Sequence, residues 1–158
     1  MDKKIFIIGL DGGSWNLYSE LIKDGFMSNL KKLCDSGSWG NLVSTIPPQT
    51  PVAWGALQTG MKPGELGYVD FVSIDLEQKV LNLINGKTLP KTMWEYFSGN
   101  GKKVVSINVP MTYPPRKVNG VIVGGMLSPD LNSEFISPSE FKKEFFENNP
   151  DYQIFHLS

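Results

Sequence analysis

Two residues in the chain have side chains that could act on a phosphate ester. Asp11 follows the apolar run "KIFIIGL", and Thr50 lies in "TIPPQTPVAWGALQTG", directly before Pro51. A hydroxyl at the start of a helix faces backbone N–H groups that have no partner within the helix, and it lies at the positive end of the helix dipole. A nearby carboxylate could hold a divalent cation, which would lower the pKa of the hydroxyl. The two residues therefore suggest phosphoryl transfer to Thr50.

The same two residues also have an ordinary structural explanation. A threonine before a proline at a helix start is a common N-cap, and its oxygen accepts hydrogen bonds from the first N–H groups of the helix. The sequence Asp-Gly-Gly after a strand is common turn chemistry. Spacing alone leaves both interpretations open.

The strands that must position Asp11 and Thr50 are predicted from two apolar stretches. "KIFIIGL" is short and rich in β-branched residues, which is typical of a strand buried on both faces of a parallel sheet, and "SWGNLVST" predicts the next strand. In a parallel sheet the loops at the carboxyl ends of the strands form the ligand crevice. We therefore expect Asp11 and Thr50 to meet in that crevice.

Helix start and stop signals recur along the chain. Ser14 predicts the N-cap of a first helix that ends at Gly25, and two further helices are predicted to end at Gly37 and Gly60. Two more helices are predicted in "PKTMWEYFSGNG" and in "EFKKEFFEN", the latter opened by a capping box over 137–140.

The rest of the pattern consists of short strands. "KKVVSINVP" and "NGVIVGG" each predict a strand. The segment 72–89 predicts a hairpin or an excursion above the sheet, with Asn85-Gly86 as turn material. Alternating helices and strands predict an α/β fold, a layered sandwich around a mostly parallel sheet, in a single domain over residues 1–158.

Composition narrows the classes of partner and compartment. Fifteen basic and sixteen acidic residues give a net charge of −1, so the chain has no basic field for a nucleic acid polymer. The single cysteine, Cys34, excludes an internal disulfide framework and fits a reducing compartment. The first apolar run breaks at Gly9 and Asp11, too early for a signal peptide or a membrane span. These features predict a cytoplasmic protein without a membrane partner.

Three longer strings carry a family resemblance. "IIGLDGG", "STIPPQTPVAWGALQTGMKPGELGYVDF" and "TMWEYFSGNGKKVVSINVPMTYPPRKVNGVIVGGMLSPD" follow one another in this order. Together they resemble the alkaline phosphatase superfamily, specifically its type I phosphodiesterase/nucleotide pyrophosphatase-like branch. The resemblance implies a metal-dependent phosphoester hydrolase that acts on a small phosphoester or nucleotide substrate. It implies two divalent metal ions, usually zinc with manganese as the alternative. It also implies that Asp11 is a metal ligand and that Thr50 is both the nucleophile and a metal ligand.

The chain also departs from the family pattern. Leu66 in "PGELG" occupies a position where many members have a histidine that is not a metal ligand. The remaining ligands of the family are aspartates and histidines later in longer chains, whereas the one histidine here is His156, which we interpret as an incidental strand residue. Zinc needs three or four strong ligands. We therefore expect the chain to correspond to the amino-terminal part of an alkaline-phosphatase-like catalytic domain, with an incomplete fold and ligand set.

A second interpretation is a module without catalytic activity. Such a module would have lost the ligands and would act as a phosphate-binding or interaction domain. An incomplete sheet would leave an edge and an apolar face exposed, which favours self-association into a homo-oligomer.

Overall fold

The computed structural model describes residues 4–154, which form six helices and five short strands. The predicted α/β class is therefore confirmed. The chain divides into two compact units, Met1–Val43 and Ser44–Ser158, which are described separately below. The assignment of residues 1–158 to a single domain stays a prediction.

The first unit contains two helices, α1 (Trp15–Lys23) and α2 (Ser28–Ser36). The Ser14 side chain accepts a hydrogen bond from the N–H of Asn16 at 3.2 Å, which confirms the predicted N-cap. The Trp15 indole packs against Trp39 with ring centroids 4.8 Å apart, and its Nε1 donates to the carbonyl of Gly40 at 3.2 Å. Trp15 thus fixes the segment after α2 to the start of α1.

Two strand predictions, for the segments 4–10 and 38–45, are wrong. Among the described residues neither segment forms a strand. Neither segment pairs with a strand among residues 4–154. Their apolar side chains are exposed, Phe6 at 89% and Val43 at 87%. A strand is stabilised by hydrogen bonds to a neighbouring strand and by the packing of its faces, so β-branched residues alone do not produce one.

The second unit contains a three-stranded sheet. Its strands are β3 (Val104–Val109), β4 (Gly120–Gly124) and β5 (Ile136–Ser137), in the order β3-β4-β5. The pair β3–β4 is parallel and the pair β4–β5 is antiparallel. Both predicted strands, in "KKVVSINVP" and "NGVIVGG", are confirmed. The mostly parallel sheet is not confirmed, because the residues described here contain one parallel strand pair.

The predicted capping box at 137–140 is also wrong. Ser137 belongs to β5 and pairs with Ile122, and helix α6 (Phe141–Asn148) begins only after Glu140. Ladder pairing to β4 holds Ser137 in extended backbone, so it is not available as a helix cap. The helix itself is present where "EFKKEFFEN" predicts it.

A separate antiparallel hairpin is formed by β1 (Val72–Asp75) and β2 (Val80–Leu83). Its connection lies at 76–79, between the paired residues Asp75 and Val80. Asn85-Gly86 is turn material as predicted, but in a separate turn after β2, where the N–H of Thr88 donates to the carbonyl of Asn85 at 2.9 Å. Cross-strand partners share one face of a hairpin. The pairs Val72–Leu83 and Ile74–Leu81 therefore make one aliphatic face, and these four residues are 45–70% exposed.

Three further helices complete the second unit, α3 (Thr50–Thr59), α4 (Pro63–Leu66) and α5 (Met93–Gly99). The core behind α3 is a cluster of six buried residues, namely Val52, Leu66, Tyr68, Ile84, Leu89 and Met111. A second cluster joins β4, β5 and α6, with Val123, Phe135, Ile136, Phe145 and Ile154. None of the helices in residues 4–154 has the length and apolar character needed to cross a bilayer.

Candidate active site

Thr50 is the first residue of α3, one position inside the helix relative to the N-cap position that the sequence predicts. Gln49 is the N-cap, with extended backbone at φ −95° and ψ 142°. Pro51 occupies the second helical position, where the missing N–H costs no hydrogen bond. The first hydrogen bond of the helix runs from the N–H of Ala53 to the carbonyl of Gln49, at 2.9 Å. The N–H of Val52 lies one residue before this first donor.

Local sequence signals define both ends of α3. Before the helix, the Thr45 hydroxyl donates to the carbonyl of Pro47 at 2.9 Å, which holds the proline-rich turn. After it, Gly60 has φ +73°, a left-handed conformation that suits glycine, and its N–H donates to the carbonyl of Ala56 at 2.8 Å. The predicted helix after the proline-rich turn, ending at Gly60, is confirmed.

Gln58 fixes α3 from its buried side. The side chain is 1% exposed, and its Nε2 donates to the carbonyl of Pro110 at 2.9 Å and to that of Trp54 at 3.1 Å. Its Oε1 accepts a hydrogen bond from Nε1 of Trp94 at 2.9 Å. No sequence motif identifies Gln58 as a residue that holds the helix. A polar side chain on the apolar run "VAWGALQ" was the available signal, since a buried amide must find partners.

Pro110, whose carbonyl accepts the hydrogen bond from Gln58, lies in the turn that follows the carboxyl end of β3. The hydroxyl of Thr112 donates to the carbonyl of Val109 at 2.6 Å and accepts from the N–H of Gly125 at 3.1 Å. A Cβ at Gly125 would lie 2.4 Å from the Val109 oxygen, so the residue must be glycine for the backbones to approach. Thr112 therefore joins the turn after β3 to the start of the segment after β4.

Tyr68 contacts α3 near its first turn. Its hydroxyl donates to the carbonyl of Pro51 at 3.3 Å, and the residue is 4% exposed. Burial raises the pKa of Tyr68 to about 12. Gly67 ends α4 in a left-handed conformation at φ +76° and so turns the chain toward α3. Leu66 is buried in the α3 core cluster and serves packing.

Asp11 lies in an exposed turn after the segment 4–10. It belongs to the first compact unit, whereas Thr50 belongs to the second. Their predicted juxtaposition therefore stays a prediction.

The match to known families covers nearly the whole chain. The model of the type I phosphodiesterase / nucleotide pyrophosphatase family matches residues 5–153. The chain belongs to this family. It lies within the alkaline phosphatase superfamily, as the sequence motifs indicate. Neither the curated proteins nor the solved structures give a significant match.

Membership of the type I phosphodiesterase / nucleotide pyrophosphatase family implies a hydrolase of small phosphoesters or nucleotides. The family is generally metal-dependent. Within residues 4–154, however, no group of three or more histidine, cysteine, aspartate or glutamate side chains could hold a metal ion. His156 lies outside the described residues. The donors of this part of the chain therefore do not fit a complete metal centre of the kind that the family uses.

The second unit also contains a small, partly open pocket beside Gln58 of α3. Its volume is about 10 Å³, and it is lined by residues that include Gln58, Trp94, Thr112 and Arg116. This volume suits about one water molecule. It is not a substrate pocket for this family of hydrolases.

Proposed function

We propose that this chain contributes the nucleophile of a phosphoester hydrolase of the type I phosphodiesterase / nucleotide pyrophosphatase family, and that the nucleophile is Thr50. The observation that carries the proposal is the position of Thr50 as the first residue of α3, within a chain that matches the family over residues 5–153. The start of a helix presents N–H donors and a positive partial charge, which suit the oxygens of a phosphoryl group.

The reaction has two displacement steps. In the first, Oγ1 of Thr50 loses its proton and forms a bond to phosphorus as the bond from phosphorus to the leaving oxygen breaks. The leaving oxygen takes up a proton, so that the leaving group departs as an alcohol or a nucleotide. In the second, water attacks phosphorus and the bond to Oγ1 breaks, which restores the Thr50 hydroxyl and releases the phosphate product. The N–H donors at the start of α3 stabilise the negative charge on the phosphoryl oxygens in both steps.

Asp11 and Thr50 are the two metal ligands that we propose from this chain, with zinc as the ion and manganese as the alternative. A zinc ion needs three or four strong ligands. Further donors would therefore have to come from residues other than those described. We also propose that the protein is cytoplasmic.

The test of the proposal is hydrolysis of bis(p-nitrophenyl) phosphate by the protein expressed from its complete reading frame, with added zinc or manganese. We expect turnover that is abolished by Thr50→Ala, with the fold retained by circular dichroism. Thr59→Ala, at the opposite end of the same helix, is the matched control and should keep its turnover. Full activity in Thr50→Ala would refute the assignment of the nucleophile.

The second candidate function is a non-catalytic module that self-associates. The exposed aliphatic face of the β1–β2 hairpin favours it, because apolar patches of this kind are usually covered. Light scattering combined with metal analysis separates the two candidates. An associated chain that binds no metal and gives no turnover would support the module, and a metal-loaded active protein would exclude it.

A further inference from the structure

Asn108 is an extra residue near the carboxyl end of β3. The strands β3 and β4 pair in parallel, but the register shifts between Ile107 and Val109, so Asn108 has no partner residue in β4. Such a bulge is rare in a parallel pair, and bulges re-aim a side chain and are enriched next to active sites. The carboxyl ends of parallel strands are also where α/β folds bind their ligands.

The backbone of Asn108 is left-handed, with φ +55°. Two further non-glycine residues, after the carboxyl ends of β3 and β4, share this uncommon conformation, Met111 at φ +66° and Leu127 at φ +81°. Packing offsets the cost at these two positions, because Met111 is 1% exposed in the core cluster behind α3 and Leu127 packs against that cluster. The Asn108 side chain is exposed and has no such packing.

The left-handed backbone does not by itself explain why residue 108 carries an amide. Asparagine tolerates this conformation, but glycine adopts it without steric cost and would serve the bulge equally well. The close approach of Gly125 fixes the bulge, since a Cβ there would lie 2.7 Å from the carbonyl carbon of Asn108. The Asn108 amide makes no hydrogen bond within residues 4–154. A fixed backbone therefore presents a polar group to solvent, which is the arrangement of a ligand contact.

The contact between the loop after β3 and α3 indicates which part of a substrate Asn108 meets. Gln58 of α3 donates to the carbonyl of Pro110, two residues after Asn108. Thr50 begins the same helix, about 12 Å from Gln58 along its axis. This distance exceeds the size of a phosphoryl group, so a substrate that reaches Asn108 carries a larger group on its phosphate.

We propose that Asn108 is a specificity-determining residue whose amide binds the base of a nucleotide substrate while the phosphorus reacts at Thr50. A primary amide presents a donor and an acceptor side by side, and this pair matches the edge of a nucleobase, as it does where asparagine recognises adenine in DNA. The inference rests on the proposed function, because it assigns the group that accompanies the reacting phosphate.

The experiment compares two esters that release the same p-nitrophenolate, p-nitrophenyl thymidine 5′-phosphate and bis(p-nitrophenyl) phosphate. It uses the protein from its complete reading frame, with added zinc or manganese. The variant Asn108→Gly keeps the left-handed backbone and removes the amide. The control is Lys79→Gly, at an exposed turn residue that is also left-handed, with φ +53°.

We expect Asn108→Gly to lower kcat/KM for the thymidine ester about five- to 100-fold, mainly through a higher KM. Hydrolysis of bis(p-nitrophenyl) phosphate should not change, because its second p-nitrophenyl group has no N–H to pair with the amide. Lys79→Gly should match the unmodified protein with both esters. An unchanged ratio of the two kcat/KM values in Asn108→Gly overturns the inference, since a residue that only shapes the bulge would not alter this ratio.

Failure of the proposed function gives a different result. If the unmodified protein hydrolyses neither ester, or if Thr50→Ala keeps full turnover, the proposed function is refuted. Calorimetry with thymidine 5′-monophosphate then decides the role of Asn108 by binding alone. Weaker binding by Asn108→Gly supports the contact with the nucleotide, whereas equal binding, or no binding by the unmodified protein, overturns it.

Discussion

Trp94 donates a hydrogen bond of 2.9 Å from Nε1 to Oε1 of Gln58, inside the second compact unit. This bond joins α5 to α3, the helix that begins with Thr50. The Nε2 of the same Gln58 side chain donates to the carbonyl of Pro110. The position of the proposed nucleophile helix is therefore set by a polar contact and not by apolar packing alone.

Gln58→Leu should destabilise the protein strongly. The substitution keeps the side-chain volume but leaves the Trp94 N–H and the Pro110 carbonyl without their partner, at a cost of about 2–4 kcal/mol. Urea unfolding followed by tryptophan fluorescence measures the change. Gln78→Leu, at an exposed turn position, is the matched control and should stay within about 0.5 kcal/mol of the unmodified chain. Equal stability of the two variants would show that the Gln58 contacts contribute nothing.

Arg116 should not tolerate replacement by lysine. Its guanidinium binds the Glu95 carboxylate at 2.7 Å, the carbonyl of Gly86 at 3.0 Å and the carbonyl of Leu89. An ammonium group cannot reproduce this fork, so Arg116→Lys should cost about 1–3 kcal/mol. Lys143→Gln removes an exposed ion pair with Glu147 and should change unfolding by less than about 0.5 kcal/mol. The prediction fails if the two variants lose similar stability.

Glu95 should make the stability of the protein depend on pH in the acid range. Burial acts to raise the pKa of this carboxyl, but the N–H of Thr92 and the charge of Arg116 outweigh it and hold the pKa below the usual value of 4.5. In the window between the folded and the unfolded pKa, only the unfolded chain binds the proton. The stabilisation is therefore present above about pH 4.5 and is lost as the pH falls through the folded pKa.

The variant Glu95→Gln isolates this effect from the other carboxylates. At neutral pH it should be less stable than the unmodified chain, and the difference should shrink as the pH falls below 4.5. Urea midpoints measured between pH 3 and pH 7 give both curves. A constant difference across this range would contradict the role of the ionised carboxylate.

Gly55 and Tyr68 should be energetically coupled. Gly55→Ala places a methyl group 2.2 Å from the Tyr68 oxygen and should destabilise the protein by about 1–3 kcal/mol. Tyr68→Phe removes that oxygen, so Gly55→Ala should cost less in the Tyr68→Phe background. A double-mutant cycle by urea unfolding measures the coupling. Additive effects of the two substitutions would show that the hydroxyl and the helix backbone do not approach as described.

Local signals in the sequence predicted the helices well. Ser14, Gly37 and Gly60 act as caps where the residue types indicate them, because a cap depends on only a few neighbouring residues. The capping box of Thr92 and Glu95 is equally local, and its spacing is typical of that motif. Ser137 shows the limit of such signals, since strand pairing overrides its capping preference.

Long-range relationships were harder to predict. The apolar segment 4–10 predicted a strand, but pairing depends on a partner that periodicity cannot identify. The contacts of Gln58 with Pro110 and of Tyr68 with Pro51 join distant parts of the chain and follow no sequence motif. For the candidate site, the sequence predicted a helix at Thr50, whereas the buried residues that hold this helix became visible only in the fold.

The most direct test of the account is to find which residue carries the covalent intermediate. The protein from the complete reading frame is mixed with bis(p-nitrophenyl) phosphate and metal, quenched rapidly in acid, digested and examined by tandem mass spectrometry. The account predicts that the modified residue is Thr50, in the peptide that spans the start of α3, and that Thr50→Ala gives no modified peptide. Turnover with Thr50 unmodified at every quench time and the modification on another residue would contradict it.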